Sequence, residues 1–248
     1  MLESGASFTA GPSSLKNSQA GDEVRIATDG FVRLLQITSP ALPIGAFAYS
    51  HGLERAVEFG WVHDAPTAQD WIEGVLKSTL AACEIPVLAR LYRAFVDGDD
   101  AGARAWSAWL WASRPTAELQ AEDRQLGTAL ARVLVSLGLA EADRFIDDAH
   151  TTHACLFALA CARWQVPIPA AAVAFLFAWV EGQVGAAVKL VPLGQTDGQR
   201  ILWHLGGALS EAVRDGLSRQ DADIGGSLVG HAMASALHET QYSRLFRS

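Results

Sequence analysis

The longest uncharged apolar stretch of the chain runs over residues 168–180 and is followed by Glu181. A helix that spans a bilayer needs about 20 such residues, so this stretch alone is too short to cross a membrane. Pro167 and Pro169 stand at its start, and proline is tolerated in the first turn of a helix. The pattern predicts a buried core helix over residues 169–190 and no membrane partner.

The overall composition favours helices. The chain of 248 residues contains 43 Ala and 29 Leu, the strongest helix formers, and half of its residues are hydrophobic. Apolar residues recur at helical spacing, and no pair of segments alternates as paired strands do. We predict an all-α fold, a single-domain helical bundle of about eight to ten helices. Residues 1–28, which lack this periodicity, are predicted to form a flexible N-terminal tail ahead of one helical domain over residues 29–248.

Charge and cysteine content exclude several classes of protein. The formal net charge is −8, which argues against a nucleic-acid partner because neutralising phosphates requires a basic face. Three cysteines are too few and too scattered for a disulfide framework, so we expect a cytoplasmic protein. Cys155 and Cys161 lie in Ala-rich helix and are predicted to be small core residues.

Polar residues mark several helix boundaries. Thr67 and Thr116 are predicted N-caps, and Gly138 is a predicted helix stop. Glu122 and Asp123 follow Thr116, where carboxylates favour the positive end of a helix. In the segment 106–111 we predict that Trp106 and Trp109 belong to the core, whereas Trp111 points outward to a partner.

One segment has the residue types of a metal site. His150 and His153 are three residues apart, so one helix face would present both imidazoles beside Asp147 and Asp148. The simpler interpretation is that one of these aspartates caps a helix and that the two histidines lie on the surface. We prefer the simpler interpretation, and we predict no catalytic residues and no cofactor, since no phosphate-binding loop or H-E-x-x-H motif occurs.

The C-terminal segment 238–248, HETQYSRLFRS, has aromatic and Arg residues where chain ends are usually bland. These are the residue types that dominate protein interfaces. Two interpretations are open: the segment docks on its own core, or it becomes ordered on binding a partner. We favour the second.

Three segments, in this order and spacing, resemble the UreF family of urease accessory proteins. They are SPALPIGAFAYSHGLE at 39–54, AAVKLVPLGQTDGQR at 186–200 and the C-terminal segment 238–248. The stretch 116–126 also looks like the family, and the resemblance covers about residues 31–248. The first segment departs from the family pattern at three positions, where Ala46, Ala48 and His51 replace Gly, Ser and Gln.

The resemblance implies an all-helical, homodimeric and non-enzymatic assembly factor. Proteins like this join UreD, also called UreH, and recruit the GTPase UreG, and the complex delivers nickel to the urease apoprotein. The resemblance makes Tyr49 and Arg244 the pair that shapes the UreG-facing surface, and Lys189 a residue linked to partner function. The tail around Tyr242 to Arg247, which includes Phe246, resembles the element that depends on UreD. The alternative is a nickel-binding metallochaperone that uses His150, His153 and nearby carboxylates or Cys155.

Overall fold

The structure, a computed structural model, describes residues 25–248. Within these residues it contains ten α-helices and no strand, which confirms the predicted all-α fold. Most of the predicted tail over residues 1–28 lies outside the described residues, and the first helix begins at Thr28. The helices are α1 (Thr28–Thr38), α2 (Leu53–Glu58), α3 (Ala65–Val75), α4 (Ile85–Asp97), α5 (Asp100–Ala112), α6 (Ala117–Ser136), α7 (His153–Arg163), α8 (Ile168–Leu190), α9 (Gln195–Ser218) and α10 (Val229–His238).

The centre of the molecule is the contact between α4 and α7, the most extensive in the fold. Helix α7 is buried along almost its whole length, because it is apolar on every side. Leu156 and Leu159 of α7, like Leu88 and Leu91 of α4, are fully buried. Cys155 and Cys161 are also fully buried, which confirms that they are core residues.

Helix α8 contains the apolar stretch and runs from Ile168 to Leu190, close to the predicted bounds. Pro169 lies in its first turn, where no intrahelical hydrogen bond is lost. By length and composition alone this helix is able to cross a membrane, but half of its most apolar window is buried in the protein. It packs against α9, α1 and α2, as a core helix does.

The helix boundaries agree with most of the sequence predictions. Thr116 caps α6, with its hydroxyl accepting the N–H of Leu119 at 3.2 Å. Gly138, with φ of +92°, follows the end of α6 as predicted. The prediction for α3 is wrong by three residues: Asp64 is the N-cap, and Thr67 is its partner in a capping box.

A π-helix over residues Leu76–Glu84 joins α3 to α4 and places Glu84 in the interior. Arg114 forms ion pairs there with Glu84 and with Asp123, the latter at 2.8 Å. Glu122 and Asp123 lie near the start of α6, as predicted. Both are buried in the second turn, and sequence spacing did not show that the helix turns them inward.

The last helix positions the C-terminal segment. Helix α10 packs mainly against α2. Beyond it, residues 239–248 fold back over the start of α2 and over the turn that precedes it, and we call these residues the docked tail.

Candidate functional site

The turn over residues 45–52 has an unusual backbone. Gly45, His51 and Gly52 all have positive φ, of 84°, 52° and 74°. At Gly52 a Cβ atom would lie 2.8 Å from the Ser235 hydroxyl and 2.9 Å from its backbone nitrogen, so only glycine fits. This close approach brings the turn against α10 and sets the direction in which Tyr49 enters the protein.

Tyr49 is buried, and its hydroxyl donates to Oε1 of Gln125 on α6 at 2.7 Å. Burial raises the pKa of the Tyr49 phenol, so the group stays protonated and remains a donor. The same Gln125 oxygen accepts a hydrogen bond from Arg247 of the docked tail at 3.3 Å. Gln125 thus joins the Tyr49 turn to the tail.

One carboxylate fixes the backbone of the docked tail. Glu54, in the first turn of α2, accepts the N–H of Leu245 at 2.7 Å and the N–H of Phe246 at 2.9 Å. Ser50 binds the Ser248 backbone oxygen through both its N–H, at 2.7 Å, and its hydroxyl, at 2.6 Å. These bonds satisfy polar groups that the docked tail would otherwise bury unpaired.

The side chain of Phe246 anchors the tail. It is 6% exposed, and the Lys189 ammonium lies 5.7 Å from the centre of its ring. The motifs around Tyr49, Lys189 and Phe246 therefore meet in one place, although 197 positions separate the first from the last. We call this region, formed by Tyr49, Glu54, Lys189 and residues 244–248, the tail site.

Arg244 lies at the rim of the tail site and forms an ion pair with Glu118 of α6. Glu118 also accepts from Nδ1 of His238 at 2.7 Å, and Nε2 of this fully buried ring lies 3.4 Å from Glu54. Within residues 25–248 no hydrogen bond joins Arg244 to Tyr49. The structure instead places Arg247 beside Gln125, the partner of Tyr49.

Sequence reasoning missed a second buried carboxylate under the tail. Glu122 accepts from His51 Nε2 at 2.6 Å and from the Ser248 hydroxyl at 2.6 Å. The Trp179 indole donates to His51 Nδ1 at 3.3 Å, so Nε2 of His51 is the nitrogen that donates to Glu122. The sequence signal that could have pointed to this carboxylate was His51, which stands where the pattern of the UreF family has Gln.

Behind the tail site lies a cavity of about 420 Å³. Tyr49, His51 and Lys189 line it at the tail, and His153 and His231 line it deeper in the protein. Burial lowers the pKa of both deeper histidines, to about 3 for His231. Neither ring nitrogen of His231 has a hydrogen-bond partner among the described residues, so the imidazole stays neutral there.

The two candidate metal ligands do not share a helix face. His150 lies in the turn before α7 and packs on Trp111, with ring centres 4.7 Å apart. His153 is the first residue of α7 and stacks on Phe175 inside the protein. Thr152 caps α7, not Asp147 or Asp148 as predicted. The prediction that His150 and His153 share a helix face is therefore wrong. Within the described residues no group of three or more His, Cys, Asp or Glu is placed to hold a metal.

The predictions for the tryptophans and thiols had different outcomes. Trp109 is 39% exposed, so its assignment to the core is wrong. Trp106 is half-buried and packs edge-on against Trp109, and the outward Trp111 is half-covered by His150. Burial raises the pKa of both Cys155 and Cys161 to about 12, so these thiols stay protonated at neutral pH.

Comparison with known proteins gives one family. The UreF family model matches residues 62–206. A relative from Alkalilimnicola ehrlichii, "Urease accessory protein UreF", is 53% identical over 87% of this chain and 95% of its own length. One of the same name from Marinobacter nauticus is 48% identical over 87% of this chain and 93% of its own length.

A longer relative from Bordetella bronchiseptica has the name "Bifunctional urease accessory protein UreEF". It is 44% identical over 87% of this chain, and the match covers 51% of the relative. The family match spans more than half of the chain, and these identities extend over most of it. The chain therefore belongs to the UreF family.

Proposed function

We propose that this protein is a non-enzymatic scaffold for urease maturation, which joins UreD and recruits the GTPase UreG for delivery of nickel to the urease apoprotein. Family membership, and the names of relatives such as that of Alkalilimnicola ehrlichii, support a role as a urease accessory protein. The single observation that supports the scaffold is the tail site. There, three segments far apart in sequence form one surface beside exposed interface-type side chains.

The docked tail exposes residues that suit a partner surface. The Tyr242 side chain is fully exposed, and Leu245 is 66% exposed. Next to them, Arg244 keeps part of its guanidinium open to solvent while it pairs with Glu118. Aromatic and Arg side chains supply much of the energy of protein interfaces. We assign the exposed Tyr242 and Leu245 side chains to the contact with UreD, and the neighbouring surface over Tyr49 and Arg244 to UreG.

In the structure the tail is docked on its own chain, through main-chain bonds to Glu54 and Ser50. We therefore replace the interpretation in which the tail becomes ordered only on binding a partner. We propose that the partner covers a docked tail and holds it more firmly, since the main-chain bonds to Glu54 and Ser50 are already made.

We propose that the protein is cytoplasmic and forms a homodimer. Three free cysteines suit a reducing compartment. Val173 and Phe177, one turn apart on α8, are 43% and 46% exposed and give an apolar strip for a second copy. Light scattering on the wild type and on Phe177→Asp tests the dimer: the proposal expects a dimer that the substitution weakens, and a monomeric wild type contradicts it.

Co-elution of the protein with purified UreD and UreG tests the scaffold directly. We expect a ternary complex with the wild type.

The variant Arg244→Ala should weaken UreG recruitment while it changes the unfolding midpoint little, because the ion pair of Arg244 with Glu118 is partly exposed. Arg200→Ala is the matched control, since Arg200 is an exposed arginine paired with Asp197 on α9. Absence of a ternary complex with the intact tail contradicts the scaffold, and full recruitment by Arg244→Ala contradicts the role of Arg244.

A further inference from the structure

A groove of about 360 Å³ runs along the outer face of α6, beside the tail site. Arg124, Thr128 and Arg132 line it at spacings of four residues, which place them on one face of the helix, and Gln125 lines it beside them. Asp147 is the acidic residue in its lining. We call this feature the α6 groove.

The arginines of the α6 groove differ from most others in the protein. Among the described residues, at least nine arginines form ion pairs with Asp or Glu. Arg124 and Arg132 are exposed and form none within residues 25–248. Arg247, in the neighbouring tail site, does not line the groove but donates to Gln125, which does. Arg93 and Arg214 are also without an ion pair within residues 25–248, but they lie on α4 and α9 and line neither the groove nor the tail site.

The charge of the groove opposes that of the chain. The formal net charge of the protein is −8, yet Arg124 and Arg132 line this groove against the single carboxylate of Asp147. A guanidinium offers a planar fork of donors that matches a carboxylate. The groove therefore suits a carboxylate-bearing ligand, and two arginines are too few to follow a nucleic-acid backbone on an acidic protein.

We propose that the α6 groove docks an acidic segment of the GTPase partner, an inference that rests on the proposed function. Continuity supports this occupant: Gln125 lines the groove and also accepts the hydrogen bond of Tyr49, so the groove extends the surface assigned to the GTPase. Arg124 and Arg132 are eight residues apart, which is about 12 Å along the helix axis. The acidic segment should therefore present carboxylates about two helical turns apart.

Charge reversal tests the α6 groove. Binding of purified UreG to the wild type, to Arg124→Glu/Arg132→Glu and to Arg93→Glu/Arg214→Glu is measured at low and at physiological salt. We expect the groove variant to bind at least about tenfold more weakly and with a flatter salt dependence, because its charges attract the partner. The control variant changes the net charge equally and should bind as the wild type does.

The outcomes separate this inference from the proposed function. If wild-type protein binds no UreG, with or without UreD, the proposed function fails. If the wild type binds UreG and both double variants bind equally well, the α6 groove is not the docking surface. Binding of a DNA duplex that only the groove variant loses would also overturn the assignment to a protein partner.

A photo-crosslinking amino acid at Thr128, in the middle of the groove, identifies the occupant. We expect light to join this position to a peptide of UreG that is rich in Asp and Glu, as identified by mass spectrometry. The same amino acid at Ser136, which is exposed at the end of α6 and does not line the groove, should give no such product. A product with UreD alone, or with a UreG peptide that lacks acidic residues, would overturn the proposal.

Discussion

The contact between α4 and α7 and the contact between the docked tail and α2 are both buried, but different interactions form them. Apolar side chains such as Leu88 and Leu156 hold α4 against α7. The tail is held by hydrogen bonds to Glu54 and Ser50 and by one buried aromatic ring, that of Phe246. Stability in the centre is spread over many groups, whereas the tail depends on few. A tail of this kind can be released while the bundle stays folded.

The largest effect is expected in the centre. Leu156→Ala removes a fully buried side chain from α7 and should lower the free energy of unfolding by about 2–5 kcal/mol, through lost burial and the cavity left behind. Urea denaturation measures this. Leu137→Ala, at a position 48% exposed beyond the end of α6, is the control and should cost far less. Equal losses for the two variants would mean that α7 is not the centre of the fold.

Glu54→Gln should release the tail and leave the bundle intact. The amide keeps only one acceptor oxygen, so it cannot accept both the Leu245 and the Phe246 N–H groups, and an unpaired buried group costs about 1–3 kcal/mol. Hydrogen exchange at residues 245–247 should become about 10- to 100-fold faster, with exchange in α7 unchanged. Glu58→Gln, on the same helix but exposed and paired with Arg55, is the control. Unchanged tail exchange in Glu54→Gln would refute this role.

The pH dependence of stability should come partly from His231. Burial lowers its pKa from 6.5 to about 3, so the unfolded chain takes up a proton that the native protein does not. Stability is therefore lost as the pH falls below 6.5, by about 2 kcal/mol between pH 7.5 and pH 5 for this group. His231→Phe should remove about that part of the loss, as measured by denaturation at each pH.

His204→Gln is the control for this prediction, because His204 is exposed on α9. It should keep the pH profile of the wild type. An identical profile in His231→Phe would show that His231 is not buried in its neutral form.

The smallest effect is expected at Lys189. Lys189→Met keeps most of the unbranched side chain but removes the ammonium above the Phe246 ring, a contact worth about 0.5–1 kcal/mol at an exposed site. Tail exchange should speed up only by a few-fold, far less than in Glu54→Gln. A loss of UreG or UreD binding without faster tail exchange would instead indicate that Lys189 contacts a partner directly.

Local signals in the sequence predicted the helices well. Apolar spacing, Thr116 and Gly138 gave the bounds of α6 and α8 closely, because these features act within a few residues of one another. The N-cap of α3 was assigned to Thr67 instead of Asp64, because both residue types are suited to capping and both take part in the capping box. Composition thus predicted the fold class, and short-range chemistry predicted most of the boundaries.

The tail site was predicted only in part. The resemblance pointed to Tyr49, Lys189 and Phe246, but no local pattern shows that they meet, since their contacts cross most of the chain. Glu54 and Glu122 were missed because a buried carboxylate looks like a surface charge until its partners are known. The alternative metal pair of His150 and His153, which we did not prefer, does not form, because a spacing of three residues gives a shared face only inside a helix and α7 begins at His153.

Hydrogen exchange on the protein alone and in complex with UreD and UreG tests the central claim, that the tail site is the surface on which partners assemble. Peptides that cover residues 45–54 and 239–248 should gain protection in the complex, because a partner would cover Tyr242 and Leu245 and hold the docked tail in place. Peptides of α7 should not change. Protection that appears only on other surfaces, with both of these segments exchanging as in the free protein, would contradict the account.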